Sequence, residues 1–323
     1  MSPVLSRPFP WLIALIAALF VLAPAWEGSV QLRERLLLAA VYITLASNLN
    51  MMIGYAGYVN FGNIVFFGLG GYFCVYLVND WKWNLIAAAL VAGLIVSTLA
   101  FLFGRGILRL RGAFFALATI GVNEATRQFV ANFEPWGGAT GIYLSLDAYE
   151  PLGGPRQALW VVYFLLVAVM TLSLALSYAV KNSKFGLGLL AIGENEDAAA
   201  ILGVPTPRYK AIIYSASAFL PAVAGGFYFF KSGIIEPTAA FDLALSIEAI
   251  VMLMLGGQGA VMGAALGGAL YEKLRSYLLT SPTLSNFHLV IAGGLLLLVV
   301  LFAPGGLIGW LYSVAPRVRK VIE

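Results

Sequence analysis

Only 11% of the 323 residues are charged and 61% are hydrophobic, for a mean hydropathy of +0.91; soluble domains carry about 25% charged residues, so an ordinary water-soluble fold is excluded. The net charge of +4 comes with no basic stripe interleaved with exposed aromatics, which argues against a nucleic-acid partner. The one cysteine, Cys74, stands in an apolar run and rules out an intrachain disulfide.

Apolar runs near 20 residues, each long enough for a hydrocarbon core of roughly 30 Å, recur along the chain. They predict an all-α, polytopic transmembrane fold with about ten spans, near 9–25, 36–53, 61–78, 84–103, 112–130, 158–180, 211–230, 243–257, 260–279 and 287–303. With the N-terminus in the cytoplasm, eleven Lys and Arg fall inside and seven outside, and Arg127 falls within a span. The outside positives are accompanied by nine acids, so positive-inside bias puts both termini in the cytoplasm. Arg7, the run Trp11–Leu22 and Ala23-Pro24-Ala25 also resemble a signal peptide, but Pro24 suits cleavage poorly and a retained first span is expected. Residues 1–323 then form a single transmembrane domain with two excursions, 131–157 outside and 181–210 inside.

In chain order, the first unusual stretch is GYAGYVNFGNIVFFGLGGYF, residues 54–73. Its small residues suit close helix packing and also a broken helix beside a cavity. Asn60 and Asn63 in that stretch are candidates for the translocation pathway, since two amides in a broken apolar segment need partners or water. In span 112–130, Glu124 and Arg127 lie three residues apart on one helical face. Counting 1.5 Å per residue from Gly112, Glu124 sits roughly 18 Å in, just past the midplane. They are a candidate intramembrane ion pair that fixes helix packing. The outer excursion 131–157 is rich in Gly, Pro and acids and too long for a simple hairpin.

The inner excursion contains FGLGLLAIGENEDAAAILGVPTPRYK, residues 185–210. Gly186 and Gly188 are expected to break the helix leaving the membrane. Glu194–Leu202 then reads as one short amphipathic helix with acids in its first turn. Gly203 supplies the C′ position and Pro205 and Pro207 forbid continuation. Ala198, Ile201 and Leu202 need a surface to cover them. Membrane-skimming helices carry Lys or Arg on the polar face, whereas this one carries Glu194, Glu196 and Asp197, which favours a protein partner. Further on, Ser246 and Glu248 are further pathway candidates, with Glu248 about 9 Å below the outer surface. The stretch GGQGAVMGAALGGALY, residues 256–271, repeats the small-residue pattern of 54–73 and suggests a weak parallel duplication.

No phosphate-binding G-x-x-x-x-G-K-[ST] loop is present, so this chain does not itself hydrolyse nucleotide. The single histidine, His288, has no Cys, His or carboxylate cluster of metal spacing around it, and no Ser-His-Asp set fits the spans. No enzymatic activity, metal or cofactor is expected. A stand-alone carrier would need an ion-coupling site from Glu124, Arg127 or Glu248, and it would leave the acidic inner helix unexplained.

Six stretches in order now carry a resemblance: Gly54-Tyr55-Ala56-Gly57 with Phe61-Gly62; LRLRGAFFALAT (108–119) with Glu124 and Arg127; GGATGI (137–142); GENEDAAAILGV (193–204); SIEAIVMLMLGGQGAVMG (246–263); and FAPGGLIG (302–309). The chain resembles the permease subunit of bacterial ATP-binding-cassette importers for branched-chain amino acids, the second or M-type of two such permeases. The resemblance implies an inner-membrane protein paired with a homologous second permease, two cytoplasmic ATPases and a periplasmic substrate-binding protein facing 131–157. It implies that 181–210 is the coupling loop whose helix docks in a groove of the ATPase, with Glu194, Ala200 and Gly203 matching that motif and Glu196 beside them. ATP-driven closure would then alternate access for branched-chain or other amino acids, or for related solutes such as urea or amides. The chain departs from the family at Asn63, where a His is usual, at Gly193, where a basic residue commonly precedes the acids, and at Gln258 and Gly263-Ala264.

Overall fold

The computed structural model describes residues 9–27, 30–280, 287–302 and 305–314. Arg7 and the basic residues of 317–320, used in the topology count, lie outside them, as does the His288 side chain.

Helix α1 (Phe9–Glu27) leads to α2 (Val30–Asn50), which continues as a π-helical turn, Met51–Tyr55. After a break come α3 (Asn63–Asn79), α4 (Leu85–Ile107) and α5 (Gly112–Ala131). The outer excursion follows, carrying β1 (Ile142–Tyr143), and then α6 (Pro155–Lys181). The inner excursion holds α7 (Lys184–Glu194) and α8 (Glu196–Ile201), followed by α9 (Thr206–Ser232), β2 (Ile234–Ile235) and α10 (Pro237–Ala240). The last described elements are α11 (Leu243–Gly256), α12 (Val261–Thr280), α13 (His288–Phe302) and α14 (Gly306–Val314).

Each of the ten expected apolar stretches coincides with a helix. Among the described residues, Val30–Tyr55, Leu85–Ile107, Pro155–Lys181, Thr206–Ser232 and Pro237–Gly256 are long and apolar enough to cross a membrane, and Phe9–Pro24 and Asn63–Asn79 are shorter apolar helices. The protein is an all-α, multi-pass membrane protein. Helix ends follow local chemistry: Asn84 caps α4 by accepting from the Ile86 N–H, and Pro155 opens α6 while Lys181 lies in its last turn, where the macrodipole favours a cation.

Helix α9 packs against both α3 and α4, which also pack on each other, and α2 packs against α6, α11 and α12. Within lipid no hydrophobic drive brings helices together, so contact depends on close packing. A Cβ on Gly70 would fall 2.1 Å from the Ala222 carbonyl, and one on Gly225 would fall 1.9 Å from that of Phe67. Gly70 of α3 thus serves the α3–α9 contact, as plain packing predicts.

Residues 131–157 are folded against the helices. Ile142 pairs with Ile235 and Tyr143 with Ile234 in an antiparallel bridge. Trp136 stacks on Tyr72 of α3 with centroids 5.2 Å apart, and the Tyr149 hydroxyl donates to the Phe230 carbonyl at 3.0 Å.

Candidate coupling and translocation sites

The inner excursion departs from its sequence reading in two ways. Gly186 and Gly188 do not break a helix: the chain turns at Asn182–Ser183, Ser183 caps α7 by accepting from the Gly186 N–H, and α7 runs through both glycines. They are glycine because α7 is crowded there; a Cβ on Gly186 would fall 2.0 Å from the Val180 carbonyl, and one on Gly188 would fall 2.4 Å from the Tyr209 ring. The expected single helix 194–202 is two. Glu194 ends α7, Asn195 adopts an extended conformation, and its side chain caps α8 through the Ala198 N–H at 3.0 Å. An Asn at an N-cap competes for the backbone in this way, and sequence periodicity alone does not reveal it. The far end is as expected: Gly203 has φ +88°, its N–H donates to the Ala200 carbonyl, and Val204 donates to that of Ala199.

Helix α8 is anchored on one side and bare on the other. Ala199 is 1% exposed, whereas Ile201 and Leu202 are 86% and 82% exposed; Glu194, Ala200 and Gly203 are exposed with them. Glu196 turns inward instead. Its Oε1 accepts from Lys210 Nζ at 2.6 Å, and its Oε2 accepts from the Tyr58 hydroxyl at 2.5 Å. Lys210, buried at 4% exposure, also donates to the Tyr58 oxygen at 2.9 Å and to the Leu108 carbonyl at 2.8 Å. Arg111 reaches Glu196 at 3.3 Å and Asp197 at 2.9 Å. One cluster thus joins α8 to the start of α9, to the α4–α5 corner and to the break after α2. Burial alone would raise the Glu196 carboxyl, but the bonds from Lys210 and Tyr58 and the charges of Lys210 and Arg111 outweigh it and hold the group below its ordinary range. The bond from Arg111 likewise holds Asp197 low. Both therefore stabilise in full above the ordinary carboxylate range of about pH 4, and lose that contribution as pH falls through the lowered values.

Gly193 presses on the same break. A Cβ there would fall 2.9 Å from the Tyr55 carbonyl, a backbone atom with little room to yield. Gly193→Ala should therefore shift the end of α7 against the break and destabilise by about 1–3 kcal/mol, the range for overpacking. Thermal unfolding of the purified protein checks this, and an unchanged melting temperature contradicts it.

The break itself, residues 56–62, gathers polar groups. Asn60 is fully buried; its Oδ1 accepts from the Gly62 N–H at 2.9 Å, and its Nδ2 has no partner among the described residues. The Phe61 N–H donates to Thr119 Oγ1 of α5 at 3.1 Å, and the Ile64 N–H to Ser246 Oγ at 3.3 Å. Asn63, at the first turn of α3, is 2% exposed. The structure therefore brings Asn60, Asn63 and Ser246 to one region. Glu248, at 2% exposure, meets Arg275 of α12 at 3.3 Å, and Arg275 also lies over the Tyr42 ring. It serves as the buried pair between α11 and α12, a role given to Glu124 and Arg127 from sequence.

Glu124 and Arg127 do form an ion pair. Arg127 donates from Nε at 2.9 Å and from Nη2 at 2.6 Å, and Gln128 also donates to Glu124. The pair does not fix packing within the chain, however, because the side chains are 52% and 34% exposed. Helix α5 buries only Phe115, Thr119, Asn123 and Val130. Charges at mid-span cost about 2.5–3.5 kcal/mol on insertion scales and face protein or a water-filled cavity. Beside the pair lies a hollow of about 200 Å³ lined by Ile120, Asn123, Glu124, Arg127, Thr238, Phe241, Asp242 and Leu243. Asn123 donates to the Phe241 carbonyl at 3.0 Å, but its Oδ1 has no partner among the described residues.

Sequence reasoning missed Asn50, Tyr58 and Lys210. Asn50 is fully buried and spans both glycine-rich breaks, accepting from the Gly259 N–H at 2.8 Å and donating to the Ala260 carbonyl at 3.1 Å. Among the described residues no group of three or more His, Cys, Asp or Glu could hold a metal ion.

A family model described as the permease component of branched-chain amino acid transport systems matches residues 32–300. The chain is similar to the high-affinity branched-chain amino acid transport system permease protein LivM of Escherichia coli K12, with 27% identity covering 91% of this chain and 74% of that protein. It is also similar to LivH of the same description from Salmonella typhimurium, with 25% identity covering 88% and 94% respectively. The ribose import permease protein RbsC of Bacillus subtilis is 31% identical over 43% of this chain and 46% of its own length.

Proposed function

Since this chain belongs to the family of permease components of branched-chain amino acid transport systems, we propose that it is the M-type permease of an ATP-binding-cassette importer in a bacterial inner membrane. It pairs there with a homologous second permease, two cytoplasmic ATPases and a periplasmic substrate-binding protein. It carries branched-chain or other amino acids, or related small solutes such as urea or amides. Ten spans cross the membrane with both termini in the cytoplasm, so that 131–157 faces the periplasm and 181–210 is the coupling loop.

The observation that carries this reading is the two-sided construction of α8. A helix of six residues cannot hold itself in water. This one is fixed from behind by Glu196, Asp197 and Ala199, and it offers Glu194, Ala200, Ile201, Leu202 and Gly203 outward. A rigid mount with a bare apolar and acidic front suits a protein groove. Glu196 then acts as the mount, and the exposed residues act as the docking face. Movement of the helix reaches the break at 56–62 through Tyr58, and alternating access follows if that break and α5 rearrange together. The open face of α5, with its mid-span ion pair, is supplied with a polar neighbour by the second permease across a shared pathway.

Two substitutions test the docking face. Gly203→Pro forces φ to about −65° where the chain needs +88°, and Ala200→Trp enlarges an exposed position without a clash inside the chain. Both variants should insert, and in reconstituted complexes both should lose ATP-driven uptake at least tenfold. Wild-type uptake in both would refute the coupling assignment.

A further inference from the structure

We propose that the hollow between α5 and the α10–α11 segment is a substrate site for zwitterionic α-amino acids with apolar side chains. This deepens the importer reading and rests on it.

The hollow holds complementary charges in a small space. Arg127 uses two N–H groups on Glu124, and a guanidinium has five, so it keeps donors for an α-carboxylate. Asp242 caps α11 with Oδ1 through the Ala244 N–H at 2.9 Å. A carboxylate has room for further donors on both oxygens, which suits an α-ammonium group. Asn123, at 3% exposure, lines the same space with an Oδ1 that has no partner among the described residues. Buried amide oxygens are almost always bonded, and an incoming N–H would satisfy this one. The remaining walls, Ile120, Phe241 and Leu243, match an aliphatic side chain. At about 200 Å³ the space falls below the roughly 300–1,000 Å³ of drug-sized sites, as a single amino acid requires.

Position fits passage. The hollow lies along the middle of α5, where that helix faces α10. Thr119, one turn inward from Asn123 on the same helix, binds the Phe61 N–H beside Asn60. An amino acid released from the hollow meets this polar break next. A site built for urea or neutral amides would not need one cation and two carboxylates within a single small space.

The test uses the complete complex in proteoliposomes, with radiolabelled leucine and acetamide as probes. Uptake and ATP hydrolysis are measured in parallel. Asp242→Asn keeps a capping oxygen and removes the charge; Glu124→Gln with Arg127→Gln removes the pair without leaving a lone charge. Leucine uptake should fall at least tenfold in both, while ATP hydrolysis stimulated by the binding protein continues. Wild-type leucine uptake in Asp242→Asn overturns the assignment, and that variant decides alone if the double variant is not recovered. A wild-type complex that carries acetamide and not leucine overturns the zwitterion class. Uptake by the wild type without ATP would instead overturn the importer reading, and it shows before any variant is made.

Discussion

Lys210→Met should abolish ATP-driven uptake in the reconstituted complex while the partner ATPases go on hydrolysing ATP. Methionine fills the stem of the lysine but removes the donor to Glu196, the Tyr58 hydroxyl and the Leu108 carbonyl together. Removing one member of a buried ion pair costs about 3–5 kcal/mol, because a charge is left without compensation. Glu196 retains Arg111 at 3.3 Å, so the lower end, about 3 kcal/mol, is expected here. The lost bonds are those that hold α8 at a fixed angle, so a push on its docking face no longer reaches the break. Stability and coupling separate in a double variant. Adding Glu196→Gln removes the stranded charge and should recover much of the melting temperature, yet uptake should stay low because the mount is still missing. If Lys210→Met transports at the wild-type rate, the cluster is only a local brace and the force takes another path.

The sequence made the helices legible because crossing a membrane demands about twenty apolar residues in a row, and nothing else in the chain competes with that signal. Gly203 was legible for a similar reason: a helix that must stop and turn needs a residue free to take φ +88°. The partners of charges were not. Lys210 lies 14 residues from Glu196 and 152 from Tyr58, and Glu248 lies 27 from Arg275. No local spacing rule joins groups so far apart. Glu124 and Arg127, which do have helical spacing, were correctly paired, but spacing cannot tell an inward face from an outward one. Helix α5 buries so little that its charges stay partly exposed, at 52% for Glu124 and 34% for Arg127. The outer bridge between Ile142–Tyr143 and Ile234–Ile235 was equally hidden, since strands of two residues carry no periodicity. Asn195 was visible, but its capping role depends on an extended backbone that only the packed turn imposes.

Asn50 presents the strongest case of a residue whose role is absent from the local sequence, and Asn50→Leu should be among the most destabilising substitutions in the protein. Leucine has nearly the shape of asparagine and none of its bonds. It would remove the acceptor of the part-buried Gly259 N–H and a donor to the buried Ala260 carbonyl, and an unsatisfied buried group costs about 1–3 kcal/mol. Gly54 tests the same contact from the other side. A Cβ there would fall 2.1 Å from Asn50 Oδ1 and 2.5 Å from the Gly259 nitrogen, so Gly54→Ala should drive the two breaks apart at a cost of about 1–3 kcal/mol. Because both changes disrupt one contact, the double variant should lose less than the sum of the singles. Thermal unfolding in detergent measures all three, and uptake measures what the contact does. If the two breaks move as one body during transport, every variant that separates them loses uptake in proportion to its lost stability. Additive losses in the double variant would mean that Asn50 and Gly54 act independently, and the paired breaks would then be neighbours without being coupled.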